Sequence, residues 1–252
     1  MFLQNAIEKR IDDDNPVKVA LIGAGKFGSM FLSQVPSTKG IEVLVIADLK
    51  PDNAIKACKN VGWSDDLINK TKFVDTGADA IKLNEVEVVI EATGFPAAGI
   101  EHARQAFQNG KHIIMVNVEA DVLAGAALAK EANSVGVVYS MAYGDQPALT
   151  AEIVEWARAS GFNVTSAGKG TRYQPIYHKS SPDTVWDYYG LTHEEARKAG
   201  MNPKMFNSFL DGTKSGLEMA AIANACDLEV PTNGLLFPPC GMDDLANILK
   251  PL

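Results

Sequence analysis

Val17-Lys18-Val19-Ala20-Leu21-Ile22-Gly23-Ala24-Gly25-Lys26-Phe27-Gly28 is the stretch that decides the fold. A compact, almost wholly apolar run enters a Gly-x-Gly-x-x-Gly turn, and a helix-like segment follows from Lys26. A strand without alternating polar positions belongs in a sheet covered on both faces. Gly23 permits the tight turn, Gly25 lets a pyrophosphate approach the backbone, and Gly28 lets helix and strand pack closely. The helix start at Lys26 and Phe27 offers unpaired N–H groups and a partial positive charge to phosphates. Asp48 ends the next apolar run, 20 residues past Gly28. A carboxylate there accepts from the adenosine ribose hydroxyls and repels a 2′-phosphate, so Asp48, with Leu49 beside it, points to NAD. Lys50, two residues on, keeps NADP open.

Outward from this turn, residues 17–22, 43–46, 86–90, 112–116 and 137–139 read as strands. Residues 26–35, 53–61, 97–109 and 122–134 are long enough for the helices between them. Gly110, Gly136 and Gly161 each follow a helical stretch, where a left-handed cap is needed. This rhythm predicts an α/β Rossmann domain, a doubly wound parallel sheet, over residues 1–143, with 1–15 as an N-terminal extension. Thr93 and Gly94 follow the strand over 86–90 and Asn117 the strand over 112–116, at the sheet's carboxyl edge where a dinucleotide crosses. A simple turn before a helix is the competing reading of Thr93-Gly94. Past residue 143 the pattern changes. Residues 144–252 are expected to form a smaller α/β or α+β catalytic domain that breaks off incomplete at Pro251-Leu252. Its expected elements are a helix over 147–160, a strand over 163–166, a loop over 167–190, an N-cap at Thr192, and a last helix over 214–225.

With 252 residues, 46% of them hydrophobic and 21% charged, the chain is globular rather than disordered and large enough for two units. A net charge of -8 argues against nucleic acid or an anionic membrane as partner. No apolar run approaches the roughly 18–20 residues of a membrane span. Cys58, Cys226 and Cys240 make neither a zinc motif nor a disulfide framework and fit a reducing cytoplasm. The acidic run at Asp12-Asp13-Asp14 does not suit a signal peptide. No His, Asp or Glu spacing calls for a metal.

Four blocks carry a family resemblance: Asn117-Val118-Glu119-Ala120-Asp121, Gly144-Asp145-Gln146-Pro147, Ser166-Ala167-Gly168-Lys169-Gly170, and the stretch from Asp211-Gly212-Thr213-Lys214 through Glu218 to Asn224-Ala225. With the glycine turn, they make the chain resemble the homoserine-dehydrogenase-like superfamily. The resemblance is nearer to the deoxyxylulose-phosphate reductoisomerase-like branch, the SAF-domain oxidoreductases, whose members continue far beyond residue 252. It implies a Rossmann domain, a catalytic domain with an open sheet, a homodimer, and nicotinamide-dependent reduction or reductive isomerisation of a small polyol or its phosphate. Homoserine dehydrogenases carry Asn-Lys where this chain has Asn117-Val118. Their Asp and Lys, four residues apart, stand here reversed as Lys214 and Glu218. Homoserine is therefore not the expected substrate. The branch's arginines near the second strand's end are likewise absent from Asp48-Leu49-Lys50.

Hydride transfer to a carbonyl needs a proton donor and a group that stabilises the alkoxide. Lys169 between two glycines, and Lys214 with Glu218 four residues on, are the catalytic candidates. Without the resemblance, the second pair reads as a solvated helix salt bridge. Glu119, with Asp121, follows the strand over 112–116 and suits either a substrate contact or the start of a helix. Asp145 before Pro147 suits a substrate contact or an N-cap. Between Glu155 and Asp183 there is no acidic residue, while Arg158, Lys169, Arg172, His178 and Lys179 lie there. This basic island suggests an anionic substrate, with Arg172 and His178 as substrate-binding candidates. His102, His112 and His193 read as structural. The expected function is an NAD(P)-dependent oxidoreductase of a small anionic hydroxy or keto compound. The alternative is a non-catalytic NAD(P)-binding sensor or regulatory module. Leu217, Met219, Ala220 and Ala221 suit either a dimer seam or ordinary core.

Overall fold

The computed structural model describes residues 2–250; Pro251 and Leu252, where the second domain is expected to break off, lie outside the described residues. The chain divides into two compact units, Met1–Tyr143 and Gly144–Leu252.

The first unit opens with helix α1 (Phe2–Asp12), inside what the sequence marks only as an extension. Then come β1 (Val17–Ile22), α2 (Lys26–Gln34), β2 (Ile41–Ala47), α3 (Pro51–Asn60), α4 (Asp65–Lys70), β3 (Lys72–Val74) and α5 (Gly77–Ile81). After them follow β4 (Val88–Glu91), α6 (Pro96–Gln108), β5 (His112–Met115), α7 (Val118–Ser134) and β6 (Tyr139–Met141). All pairings are parallel and the strand order is β3-β2-β1-β4-β5-β6. This is the doubly wound order of a Rossmann sheet, whose switch point lies between β1 and β4.

Consecutive strand residues feed two cores. Val19 and Leu21 of β1 join one cluster with Ile46 and Ile90, while Ala20 and Ile22 join the other with Val45 and Val89. Burial on both faces is why these strands read as continuous apolar runs. The ladder continues one step past the strands: Gly23 N donates to Ala47 O, Asp48 N to Val74 O, Ala92 N to Ile22 O and Val116 N to Glu91 O, all at 2.8–3.0 Å. The loops that follow β1, β2, β4 and β5 are thereby fixed along one carboxyl edge.

In the second unit, α8 (Gln146–Ala159) packs on a long helix near the end of the chain. Between them lie α9 (Val185–Tyr189), α10 (His193–Lys198) and α11 (Pro203–Leu210); the long helix itself is α12 (Thr213–Cys226). Val154 of α8 meets Ile222 and Cys226 of α12, with Val164 and Met219 against them. Trp186, Ala196 and Phe206 centre a second small cluster. The strand expected over 163–166 is not formed: the segment makes no ladder among the described residues. Val164 and Thr165 favour an extended backbone, but a strand also needs a paired neighbour, and here Val164 packs on helices instead. The α/β pattern of the described residues is therefore confined to the first unit. The loop expected over 167–190 is interrupted by a 3-10 turn, Pro175–Lys179, and by α9.

Candidate functional site

The first unit builds a dinucleotide cradle. Gly23 has φ +96°, and a Cβ on it would sit 2.7 Å from Ala92 O, so the turn lies directly on the backbone after β4. A Cβ on Gly28 would sit 2.1 Å from Gly23 O. Gly25 differs: a Cβ there would meet nothing within 4 Å. Gly25 is also the N-cap of α2 and gives no side-chain cap. The N–H groups at Lys26 and Phe27 thus open onto free space, as phosphate binding requires. Both side chains are exposed.

Asp48 is held from two sides. Its Oδ2 accepts from Ala24 N at 3.1 Å and its Oδ1 from Lys50 N at 3.0 Å. Each oxygen keeps a further lone pair, so the carboxylate is aimed while it can still accept from a ribose. Leu49, 91% exposed, lines an open depression of about 550 Å³ with Pro51, Phe73, Val74 and Asp75. These features fit an adenosine diphosphate moiety on the Gly23–Gly28 turn.

Beyond the switch point Thr93 and Asn117, both expected from the sequence, sit in a polar network whose other members, Glu91 and His102, sequence reasoning missed. Glu91, the last residue of β4, is fully buried. Its Oε1 accepts from the Thr93 hydroxyl at 2.5 Å and lies 3.2 Å from His102 Nδ1. Asn117 is buried and caps α7 by accepting from Ala120 N at 3.2 Å. Its Nδ2 donates to Phe95 O at 3.0 Å and to Thr93 Oγ1 at 3.4 Å. Gly94 is left-handed, φ +67°, and open above. The one signal in the sequence was a glutamate closing an otherwise apolar strand. Glu119 is exposed on the first turn of α7. Asp121 on the same turn is buried and takes the Tyr139 hydroxyl at 2.7 Å. Burial holds the Asp121 carboxyl above its ordinary range, only partly offset by that hydrogen bond.

The second unit gathers Lys169, Lys214 and Glu218. Glu218 on α12 is buried; Lys214 Nζ lies 3.1 Å from its Oε1 and Lys169 Nζ contacts its Oε2. The i,i+4 pair is thus part of a cluster in which two half-buried ammoniums meet one buried carboxylate. Burial lowers the proton affinity of Lys169 and the ammonium of Lys214 lowers it further, while Asp145 opposes both. Asp145 is the N-cap of α8, accepting from Gln146 N at 3.0 Å, and also acts electrostatically on this cluster. A lysine so placed can release a proton and stabilise an oxyanion.

His178 Nδ1 lies 2.8 Å from Asp211 O, at the start of the helix that carries Lys214 and Glu218. A carbonyl only accepts, so this bond puts the proton on Nδ1 and leaves Nε2 its lone pair in the neutral ring. Arg172 is exposed in the extended segment before the 3-10 turn. Arg158 leaves the basic island: its Nη1 donates to Cys226 O at 2.6 Å, capping the carbonyl end of α12. Ala221 is buried and Met219 packs into the core of this unit, so those two belong to core rather than to a seam.

Residues 23–142 match the family model of the homoserine dehydrogenase NAD-binding domain, and residues 144–252 that of the catalytic domain of oxidoreductase DRL. Among solved structures, a homoserine dehydrogenase from Thiobacillus denitrificans is similar in fold, with TM-score 0.58 and 17% identity over 86% of this chain and 50% of that one. A myo-inositol dehydrogenase from Lactobacillus casei, solved with NAD(H) and myo-inositol, aligns at TM-score 0.45 and 15% identity over 68% of this chain and 50% of that one. The chain spans about half the length of these relatives. A search of curated proteins found no match.

Proposed function

From a chain whose residues 23–142 match the homoserine dehydrogenase NAD-binding model and whose residues 144–252 match the catalytic-domain model of oxidoreductase DRL, we propose an NAD-dependent oxidoreductase that interconverts a secondary alcohol and its ketone on a small anionic compound, such as a polyol acid or sugar phosphate. The observation that carries this reading is the Lys169–Glu218–Lys214 cluster, two half-buried cations on one buried carboxylate.

Bound nicotinamide would supply or accept the hydride. Gly23, Gly25, Gly28 and the start of α2 would hold its pyrophosphate, and Asp48 its adenosine ribose. In the reduction, the substrate carbonyl oxygen becomes an alkoxide and takes a proton from Lys169, whose proton affinity is already depressed. Lys214 places its ammonium beside that oxygen, and Glu218 orients both lysines. The oxidation runs the same transfers backwards: Lys169, neutral, takes the hydroxyl proton as the hydride leaves carbon. Arg172 would meet the substrate's anionic group, and His178 would accept from a substrate hydroxyl through Nε2.

The test is turnover. The chain is screened with NAD⁺ against polyol acids and sugar phosphates, following reduced nicotinamide by absorbance. Lys169→Ala is then expected to lose at least about a hundredfold in kcat with NADH affinity unchanged. Retained turnover in that variant removes Lys169 from the chemistry; no turnover on any of these substrates, with NADH bound, leaves a binding module.

A further inference from the structure

We propose that Glu91, steadied by His102, is a positioning residue that shapes the turn from Thr93 to Phe95 to receive the nicotinamide half of the cofactor. The proposal rests on the cofactor reading given above and goes beyond it, because neither side chain needs to touch the ligand.

Glu91 is a poor choice for stability. Its side chain is fully buried at the end of an apolar strand, and its Oε2 has no hydrogen-bond partner among the described residues. An apolar residue of similar size costs less there, because a buried carboxylate must be desolvated and then fully paired. Residues that break a local rule in this way concentrate where a site must be shaped.

The network shows what Glu91 shapes. The Thr93 hydroxyl has one hydrogen, and the 2.5 Å bond commits it to Glu91. The Thr93 oxygen is then an acceptor for Phe95 N at 3.3 Å and Asn117 Nδ2 at 3.4 Å. Asn117 Nδ2 binds Phe95 O as well. The carboxylate therefore makes the Thr93 oxygen an acceptor in both of the bonds that tie it to Phe95 and Asn117. His102 brings in α6: its Nδ1 can only donate to the carboxylate, and its ring lies against Gly77, where a Cβ would come 2.4 Å from Nε2. Glu91 on β4 thus holds helix α6 and the turn directly, and the cap of α7 through Thr93.

The turn lies where the second half of a dinucleotide must go. It follows β4, across the switch point from Asp48, and its preceding backbone carbonyl at Ala92 abuts Gly23 of the phosphate turn. Gly94 leaves its outer face open.

Titration of the full chain with NADH and, separately, with ADP tests this, on the wild type, Glu91→Gln, His102→Leu, their double variant, and His102→Gln, which keeps a donor for Glu91. ADP uses only the Gly23–Gly28 turn and Asp48, so it reports whether the unit is intact. The expected result is NADH binding about tenfold weaker in both single variants with ADP binding unchanged. The double variant falls no further than the weaker single, and His102→Gln recovers most of the loss. The fluorescence of bound NADH in the weakened variants moves towards that of free NADH. If Glu91→Gln does not fold, the His102 pair decides. NADH affinity within about twofold of wild type in the folded variants, or equal losses of NADH and ADP, overturns the positioning role and leaves the cofactor reading standing. Absence of NADH binding by the wild type overturns both.

Discussion

Gly25 and Gly28 stand three residues apart in one motif and answer to different constraints. A methyl on Gly28 runs into the carbonyl of Gly23, whereas a methyl on Gly25 enters empty space. Gly28→Ala is therefore expected to destabilise the chain by about 3 kcal/mol or more, seen as a large drop in Tm. Gly25→Ala is expected to melt like the wild type and to bind NADH at least about tenfold more weakly, because the methyl occupies the pyrophosphate position. Equal melting of the two variants would contradict the division of labour. Lys169 offers a second test at this scale. Asp145 raises its proton affinity against the effects of burial and Lys214. A proton donor must be charged to act, so the reduction rate falls as pH rises through the titration of Lys169, below the ordinary lysine value of about 10.4. Asp145→Asn removes the supporting charge and should move that falling limb to lower pH; a limb that stays in place separates Asp145 from the cluster. The sequence singled out Asp48 by its spacing from the glycine turn, Lys169 by its flanking glycines, and Lys214 with Glu218 by helical spacing together with the family resemblance; the structure brings the last three together. The pair of Glu91 and His102 was not, since residues on a strand and on the following helix meet only through the sheet.

The elements show where sequence periodicity succeeds and where it stops. Strands β1, β2, β4 and β5 read correctly because both faces are buried and the apolar runs are continuous. Strand β3 was missed: it has three residues, begins with Lys72, and lies at the sheet's edge, where apolar content is not required. Helix α1 was hidden by its acidic end and is tied down by a contact distant in sequence. Arg10 forks onto Glu87 at 2.7 and 2.9 Å and onto the carbonyls of Asn15 and Pro16. The segment over 163–166 erred the other way, since propensity cannot report the lack of a pairing strand. Helix α7 carries the prediction proper to this scale. Its Asp121 is buried against Tyr139 with its pKa raised. A carboxyl whose folded pKa exceeds its unfolded one favours the fold fully below about pH 3.9, and that contribution is lost as pH rises through the folded value. Asp121→Asn, which can still accept the Tyr139 hydroxyl, should therefore melt above the wild type at neutral pH. The difference should shrink towards pH 4. A variant that melts lower throughout would mean that the charge on Asp121 stabilises the fold.

At the scale of the molecule, two units divide the work: Met1–Tyr143 carries the cofactor cradle and Gly144–Leu252 the lysine cluster. The first was almost wholly legible, because a doubly wound sheet imposes its order, its switch point and its glycine turn on the chain together. The second was legible as residues rather than as architecture; its helices are joined by extended segments whose course depends on packing. The central claim is that this chain holds NAD through the Gly23–Gly28 turn and Asp48, and calorimetric titration with NADH and NADPH tests it most directly. Saturable binding of one NADH per chain is expected, tighter than NADPH by about tenfold or more, since Asp48 repels a 2′-phosphate. Tighter NADPH, or no heat of binding with either nucleotide, would contradict it.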